Sequence, residues 1–248
     1  MSSARHTALV AAALLALGAV SLSAQQSPEE ILARYTRTID PEGRIPTIEG
    51  MKSTLTMELP AAGMSATITS VQRVPNQMVL VINIAALGEI KSGYDGTTAW
   101  SSDPMQGPRL VTGTEAATLI DGADLKSMGR SPALFTAIEP AGEADVDGDK
   151  AVCLKLTWRS ARVTTECYST TSGLIVETRS TQESPQGVIE AVGRQSEYKP
   201  INGILIPHRV VQSAMGMQQI ITTVSVEFGP QDAALFELPP EIRALRDR

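Results

Sequence analysis

The segment MKSTLTMELPAAGMSATITSVQRVPNQMVLVINI, Met51 to Ile84, carries the pattern that decides the fold class. Met51, Ser53, Leu55, Met57 and Leu59 alternate with Lys52, Thr54, Thr56 and Glu58. Pro60-Ala61-Ala62-Gly63 supplies a turn. Met64, Ala66 and Ile68 then alternate with Ser65, Thr67 and Thr69, and after Pro75-Asn76 the residues Met78, Leu80, Ile82 and Ile84 share one face. Successive side chains of a strand point to opposite faces. A period of two, punctuated by turn residues, therefore predicts antiparallel strands with one buried face.

Downstream, Lys91–Tyr94 and Thr98–Trp100 flank Asp95-Gly96, a strong two-residue hairpin signal. Thr114–Met128 breaks the alternation. It predicts one or two short helices, capped by Thr114 and interrupted near Gly122, with a helical turn over Pro132–Ala137. Strands are expected again from about Glu143, with turns at Asp147-Gly148, Gly173 and Gly187, followed by Val188–Tyr198, Ile204–Val211 and Gln218–Glu227. The polar tail Pro239–Arg248 reads as a frayed helix or a disordered segment. No linker or low-complexity tract divides residues 25–248, so one mainly β (α+β) domain is expected.

Upstream, Pro28 begins a helix. Ser27 and Glu30 fit a capping box, and Ile31, Leu32 and Tyr35 provide an apolar face. Before it, Arg5 and His6 precede the uncharged run Ala8 to Val20 and the small residues Ser21-Leu22-Ser23-Ala24. This is the order of a cleavable signal peptide, cut after Ala24. The run is short of the ~20 residues of a bilayer span. A periplasmic or otherwise extracytoplasmic location is expected, with no stable membrane insertion of the mature chain. Cys153 and Cys167 are the only cysteines. In an exported chain they read as a disulfide, provided that a hairpin turns at Arg159-Ser160-Ala161 and sets Trp158 opposite Arg162. That register also sets Leu154 and Leu156 opposite the polar Glu166 and Thr164.

Signs of reaction chemistry are few. The chain has 21 basic and 27 acidic residues and a net charge of −6, which argues against nucleic acid as a partner. Beyond the leader the single histidine is His208, in an apolar strand after Pro207, and no G-x-S-x-G elbow accompanies it. An exported hydrolase would need His208 to meet carboxylates in a polar cleft. Asp145-Val146-Asp147-Gly148-Asp149 lacks the glycine and the terminal glutamate of a calcium loop and reads as an acidic turn. No cofactor, metal site or catalytic residue is nominated. The anomaly is methionine: nine, against three Phe, two Trp and four Tyr. Flexible methionines on strand faces fill a core, or they suit a surface for variable apolar ligands.

The order of pieces resembles the LolA-like and LolB-like group of periplasmic lipoprotein and lipid carriers, of the outer-membrane lipoprotein-sorting type. The resemblance rests on the helix Pro28–Thr38, the strand opened by Pro75-Asn76-Gln77-Met78, and Gly93-Tyr94-Asp95-Gly96-Thr97-Thr98-Ala99-Trp100. It extends through Ser172-Gly173-Leu174, Ser184-Pro185-Gln186-Gly187 and Asn202-Gly203-Ile204 to Phe236-Glu237-Leu238-Pro239. It implies an incomplete, strongly curved antiparallel β-barrel whose open side is covered by short helices. It also implies a non-enzymatic role in which the cavity takes lipid or lipoprotein acyl chains. Leu55, Met57, Met64, Ile68, Met78, Leu80, Ile82 and Trp100 are the expected lining. The alternative is an envelope binding or sensor module that recognises a protein partner with the same fold.

Overall fold

The computed structural model describes residues 26–85, 87–184 and 187–247. The expected leader and its cleavage point lie outside these residues. Thirteen antiparallel strands form one curved sheet that does not close. They are β1 (Gly50–Leu59), β2 (Met64–Arg73), β3 (Gln77–Ile84), β4 (Gly88–Tyr94), β5 (Ala99–Asp103), β6 (Gly107–Leu110), β7 (Phe135–Val146), β8 (Asp149–Trp158), β9 (Val163–Ser169), β10 (Ile175–Ser184), β11 (Gly187–Ile201), β12 (Ile204–Ala214) and β13 (Met217–Phe228). Strand order is β6-β5-β4-β3-β2-β1-β13-β12-β11-β10-β9-β8-β7. The chain thus runs as two meanders joined where β13 pairs with β1. Three α-helices lie among the described residues: α1 (Pro28–Ile39), α2 (Gly113–Ala123) and α3 (Pro240–Arg246). Among the described residues, no helix is long and apolar enough to cross a membrane.

The alternation in Met51–Ile84 becomes β1 to β3. Leu55 pairs with Ile68 and Ile68 with Ile82, so the apolar sets of the three strands fall on one face. This concave face carries the main core. α1 starts at the capping box, where Ser27 N–H donates to Glu30 at 2.8 Å and Glu30 N–H to the Ser27 hydroxyl at 3.2 Å. Its buried Ile31, Leu32, Tyr35 and Ile39 pack with Leu125, Leu154, Leu156, Trp158, Tyr168, Ile175 and Ile204. Leu154 and Leu156 are fully buried, a burial worth roughly 1.5–3 kcal/mol for each side chain. α2 covers a second cluster of Met78, Ala99, Val111, Leu119 and Ala123.

The disulfide forms between Cys153 and Cys167, which face each other in the β8–β9 ladder. Trp158 N–H donates to Arg162 O at 2.8 Å, the register on which that pairing depends.

Several local expectations change. The loop after β4 has four residues, not two: Asp95 Oδ1 accepts the Thr97 and Thr98 N–H groups at 2.8 and 2.7 Å, and Tyr94 pairs with Ala99. α2 starts after Thr112, so Thr114 is not its cap. The helical break falls at Asp124, whose side chain caps the 3-10 turn Leu125–Gly129 through Lys126 N–H. Strand β7 begins at Phe135, not near Glu143, and only Pro132–Leu134 is helical. The proline and glycine of Glu139-Pro140-Ala141-Gly142 conceal the strand period, and the ladder carries a register shift there. The tail is also ordered. α3 buries Ile242 completely against Leu238 and Trp100, with Val79 beside them. Ile242 within this polar segment, with Leu238 just before it, docks the tail.

Candidate functional site

A cavity of about 350 Å³ lies on the concave face, between α1, the Leu125–Gly129 turn and the sheet. Its walls are mainly apolar. Met51, Leu55, Val226 and Val210 come from β1, β13 and β12; Ile39 and Met128 come from the covering elements; Ile175, Ile204 and Ile206 come from the far meander. Other hollows differ in character. One of about 570 Å³ between β4–β6 and α2 has Asp103 and the Arg109–Glu115 ion pair in its wall, and one of about 470 Å³ is lined by Arg44, Glu49 and Asn202. The smaller cavity is the candidate site because helices cover it and apolar side chains dominate it.

Polar groups reach the cavity as well: Arg130, Tyr35, Tyr198 and Gln195, with Ser53, Ser70 and Thr223 on the sheet. Arg130 follows the 3-10 turn in the left-handed region, at φ 50°. Its Nε donates to both Glu166 oxygens at 3.1 and 2.8 Å, and its Nη1 to Ser127 O at 2.5 Å. Glu166 is only 1% exposed and also accepts the Tyr168 hydroxyl at 2.7 Å. Burial alone would lower the Arg130 pKa, but the Glu166 charge and neighbouring tyrosines raise it overall, so the guanidinium stays charged. Burial pushes the Tyr35 hydroxyl up to about 12 and raises Tyr198 as well. Both are neutral phenols at ordinary pH. Tyr198 donates to Ile175 O at 2.9 Å.

A second ion pair ties α2 to the same region. Arg162 Nε and the Ser160 hydroxyl meet Asp121 Oδ2 at 2.7 and 2.8 Å. The Arg130 and Arg162 guanidinium groups lie 5.2 and 4.5 Å from the Trp158 ring centroid. Thr36 of α1 bonds the Gly129 carbonyl. These links hold the covering helices at a fixed height above the sheet.

The eight residues expected to line a cavity fall in four places. Leu55 lines the cavity. Met57 and Ile68 are buried in an adjoining apolar cluster, with Leu55, Leu80 and Ile82 packed against it, and Met64 follows at the hairpin end paired with Leu59. They extend the concave face beyond the cavity through Leu55. Met78 is buried beneath α2. Trp100 is the exception: with Val79 it occupies the opposite face, under α3, because alternation places it away from Met78 and Leu80. The polar cluster around Arg130 has no motif in the sequence. Leu154 opposite Glu166 was its one visible sign, since a carboxylate facing a core strand demands a cation from elsewhere.

His208 lies on β12 with its Nδ1 2.9 Å from Ile206 O, a contact within its own strand. Asp145 accepts Gly148 N–H at 2.7 Å and Lys150 Nζ at 2.6 Å, as an acidic turn does. Among the described residues, no group of three or more His, Cys, Asp and Glu is placed to hold a metal ion.

The sequence matches no protein-family model and no curated protein sequence. The fold does match solved structures. A LolA superfamily protein from Nitrosomonas europaea aligns with TM-score 0.57 and 12% identity over 86% of this chain and 99% of that one. A DUF1329 family protein from Desulfovibrio piger aligns with TM-score 0.56 and 13% identity over 86% and 98%. A domain assigned to the outer membrane lipoprotein-sorting proteins, from Vibrio parahaemolyticus, aligns with TM-score 0.50 and 9% identity over 88% and 97%. The chain has the fold of these proteins, in keeping with the resemblance seen in its sequence.

Proposed function

We propose that this chain is an exported, non-enzymatic carrier that shelters an acyl chain in the cavity beneath α1. The observation that carries the reading is the helix-covered, mainly apolar cavity of about 350 Å³, continued along the concave face by Met57, Ile68, Leu80 and Ile82. A methylene occupies much the same volume as a water molecule, ~30 Å³, so the cavity matches one chain of on the order of ten carbons. Each buried CH₂ contributes ~0.8 kcal/mol, and transfer between membranes needs no reaction chemistry. The signal-like N-terminus supports an extracytoplasmic setting. The fold shared with a lipoprotein-sorting domain supports the same class of cargo.

Gentle purification followed by native mass spectrometry tests this reading. A lipid-sized adduct lost on delipidation, together with saturable uptake of N-phenyl-1-naphthylamine by the stripped protein, is the expected result. A protein with no adduct and no uptake would exclude a carrier. A partner-binding module is the second reading, favoured by Met215 and Met217, both exposed at the β12–β13 hairpin end. It predicts an envelope partner that stays bound after delipidation.

A further inference from the structure

We infer that Arg130 and Tyr35 form a carbonyl-recognition subsite in the cavity, one that takes neutral acyl esters or amides in preference to ionised fatty acids; this rests on the carrier reading. Arg130 spends Nε on Glu166 and Nη1 on Ser127 O. Its Nη2, and the Tyr35 hydroxyl, make no hydrogen bond to the described residues, and both side chains line the cavity. A bare hydrocarbon filling this space would strip water from two donors and return nothing to them. A chain that carries an acceptor oxygen would satisfy them.

The charge balance decides which acceptor. Glu166 already neutralises Arg130 within a pair that is 1% and 17% exposed. A fatty carboxylate would add a second anion with no cation left to match it, and an unmatched buried charge costs more than its hydrogen bonds return. Gln195 Oε1 opposes an anion as well: it is a buried acceptor with no partner among the described residues, while its Nε2 donates to Thr178 Oγ1 at 3.1 Å. A carbonyl oxygen accepts from Nη2 and from the Tyr35 hydroxyl and brings no charge.

The test is competition of methyl decanoate, decanoate and decane against N-phenyl-1-naphthylamine on the delipidated full chain at pH 8. Methyl decanoate should displace the probe at about tenfold lower concentration than decanoate, and several-fold lower than decane, as expected of a site built to bond a polar group. Tyr35→Phe, checked for folding by circular dichroism, should shrink the advantage of ester over decane, weakening the ester and tightening decane, because one donor fewer is left dry. Decanoate competing as well as the ester, or decane equal to it, overturns the subsite while the carrier reading stands. Equal weakening of ester and decane by Tyr35→Phe would make Tyr35 a packing residue and overturn its role. Displacement by none of the three overturns the carrier reading, and the subsite with it.

Discussion

Replacing Arg130 with Met removes the cation from a carboxylate that water cannot reach. Glu166 would lose two N–H···O contacts, at 3.1 and 2.8 Å, and keep only the Tyr168 hydroxyl at 2.7 Å. Breaking a buried pair from one side costs about 3–5 kcal/mol, because the remaining charge stays desolvated. The guanidinium also lies 5.2 Å from the Trp158 centroid, a contact worth roughly 0.5–1 kcal/mol. A loss of about 4 kcal/mol is expected, which at this chain length lowers Tm by roughly 10 °C. The double replacement Arg130→Met with Glu166→Leu removes both charges and should recover most of that loss, since apolar substitutes for a buried pair are commonly neutral or stabilising. Urea unfolding followed by circular dichroism measures all four members of the cycle without relying on Trp158 fluorescence. A single variant that loses less than about 1 kcal/mol, or a double variant as unstable as the single, would refute the assignment of Arg130 as the counter-charge that makes Glu166 tolerable in the core.

Other consequences can be measured separately. Truncation after Pro239 should expose Trp100 and red-shift its emission, while Trp158, buried by α1 and the second meander, keeps its blue component; an unchanged spectrum would mean that α3 does not dock. Replacing Cys153 and Cys167 together by Ala should cost roughly 3 kcal/mol, the value for a closed loop of about 15 residues, and chemical denaturation with and without reductant reads it. Burial raises Tyr35 to about 12 and lifts Tyr168 and Tyr198 above the ordinary value of 10.0. The folded chain therefore keeps protons that the unfolded chain releases near 10, so this contribution to stability is full below pH 10 and falls as pH rises through 12. Tyrosinate absorbance should consequently rise together with unfolding; smooth ionisation of all four tyrosines near pH 10 in a folded protein would contradict it.

What was legible beforehand was local. Alternation places Met57, Ile68, Leu80 and Ile82 on one face because a strand has only two faces. The Ser27–Glu30 pair marks the start of α1 because the first helical N–H groups lack partners. The hairpin arithmetic around Arg159–Ala161 brings Cys153 to Cys167 because ladder register propagates residue by residue. Trp100 shows the limit of that reasoning: its strand is legible, but its face follows from the ladder across three strands, where Gly93 stands opposite both Trp100 and Val79.

By itself, the sequence determined an antiparallel sheet with one apolar face, a capped helix ahead of it and a cysteine pair in register, all set by side-chain period and backbone hydrogen bonding. Only the tertiary structure decided where the cavity lies and what it can recognise. β13 pairs with β1 and joins the two meanders, and the turn before Arg130 carries a guanidinium to Glu166, 36 positions away in the chain. A buried carboxylate announces that a cation is needed, but any of the 21 basic residues satisfies that need on paper. The choice of Arg130 comes from packing, because a charge pair this desolvated is tolerated only where distance and orientation are both met.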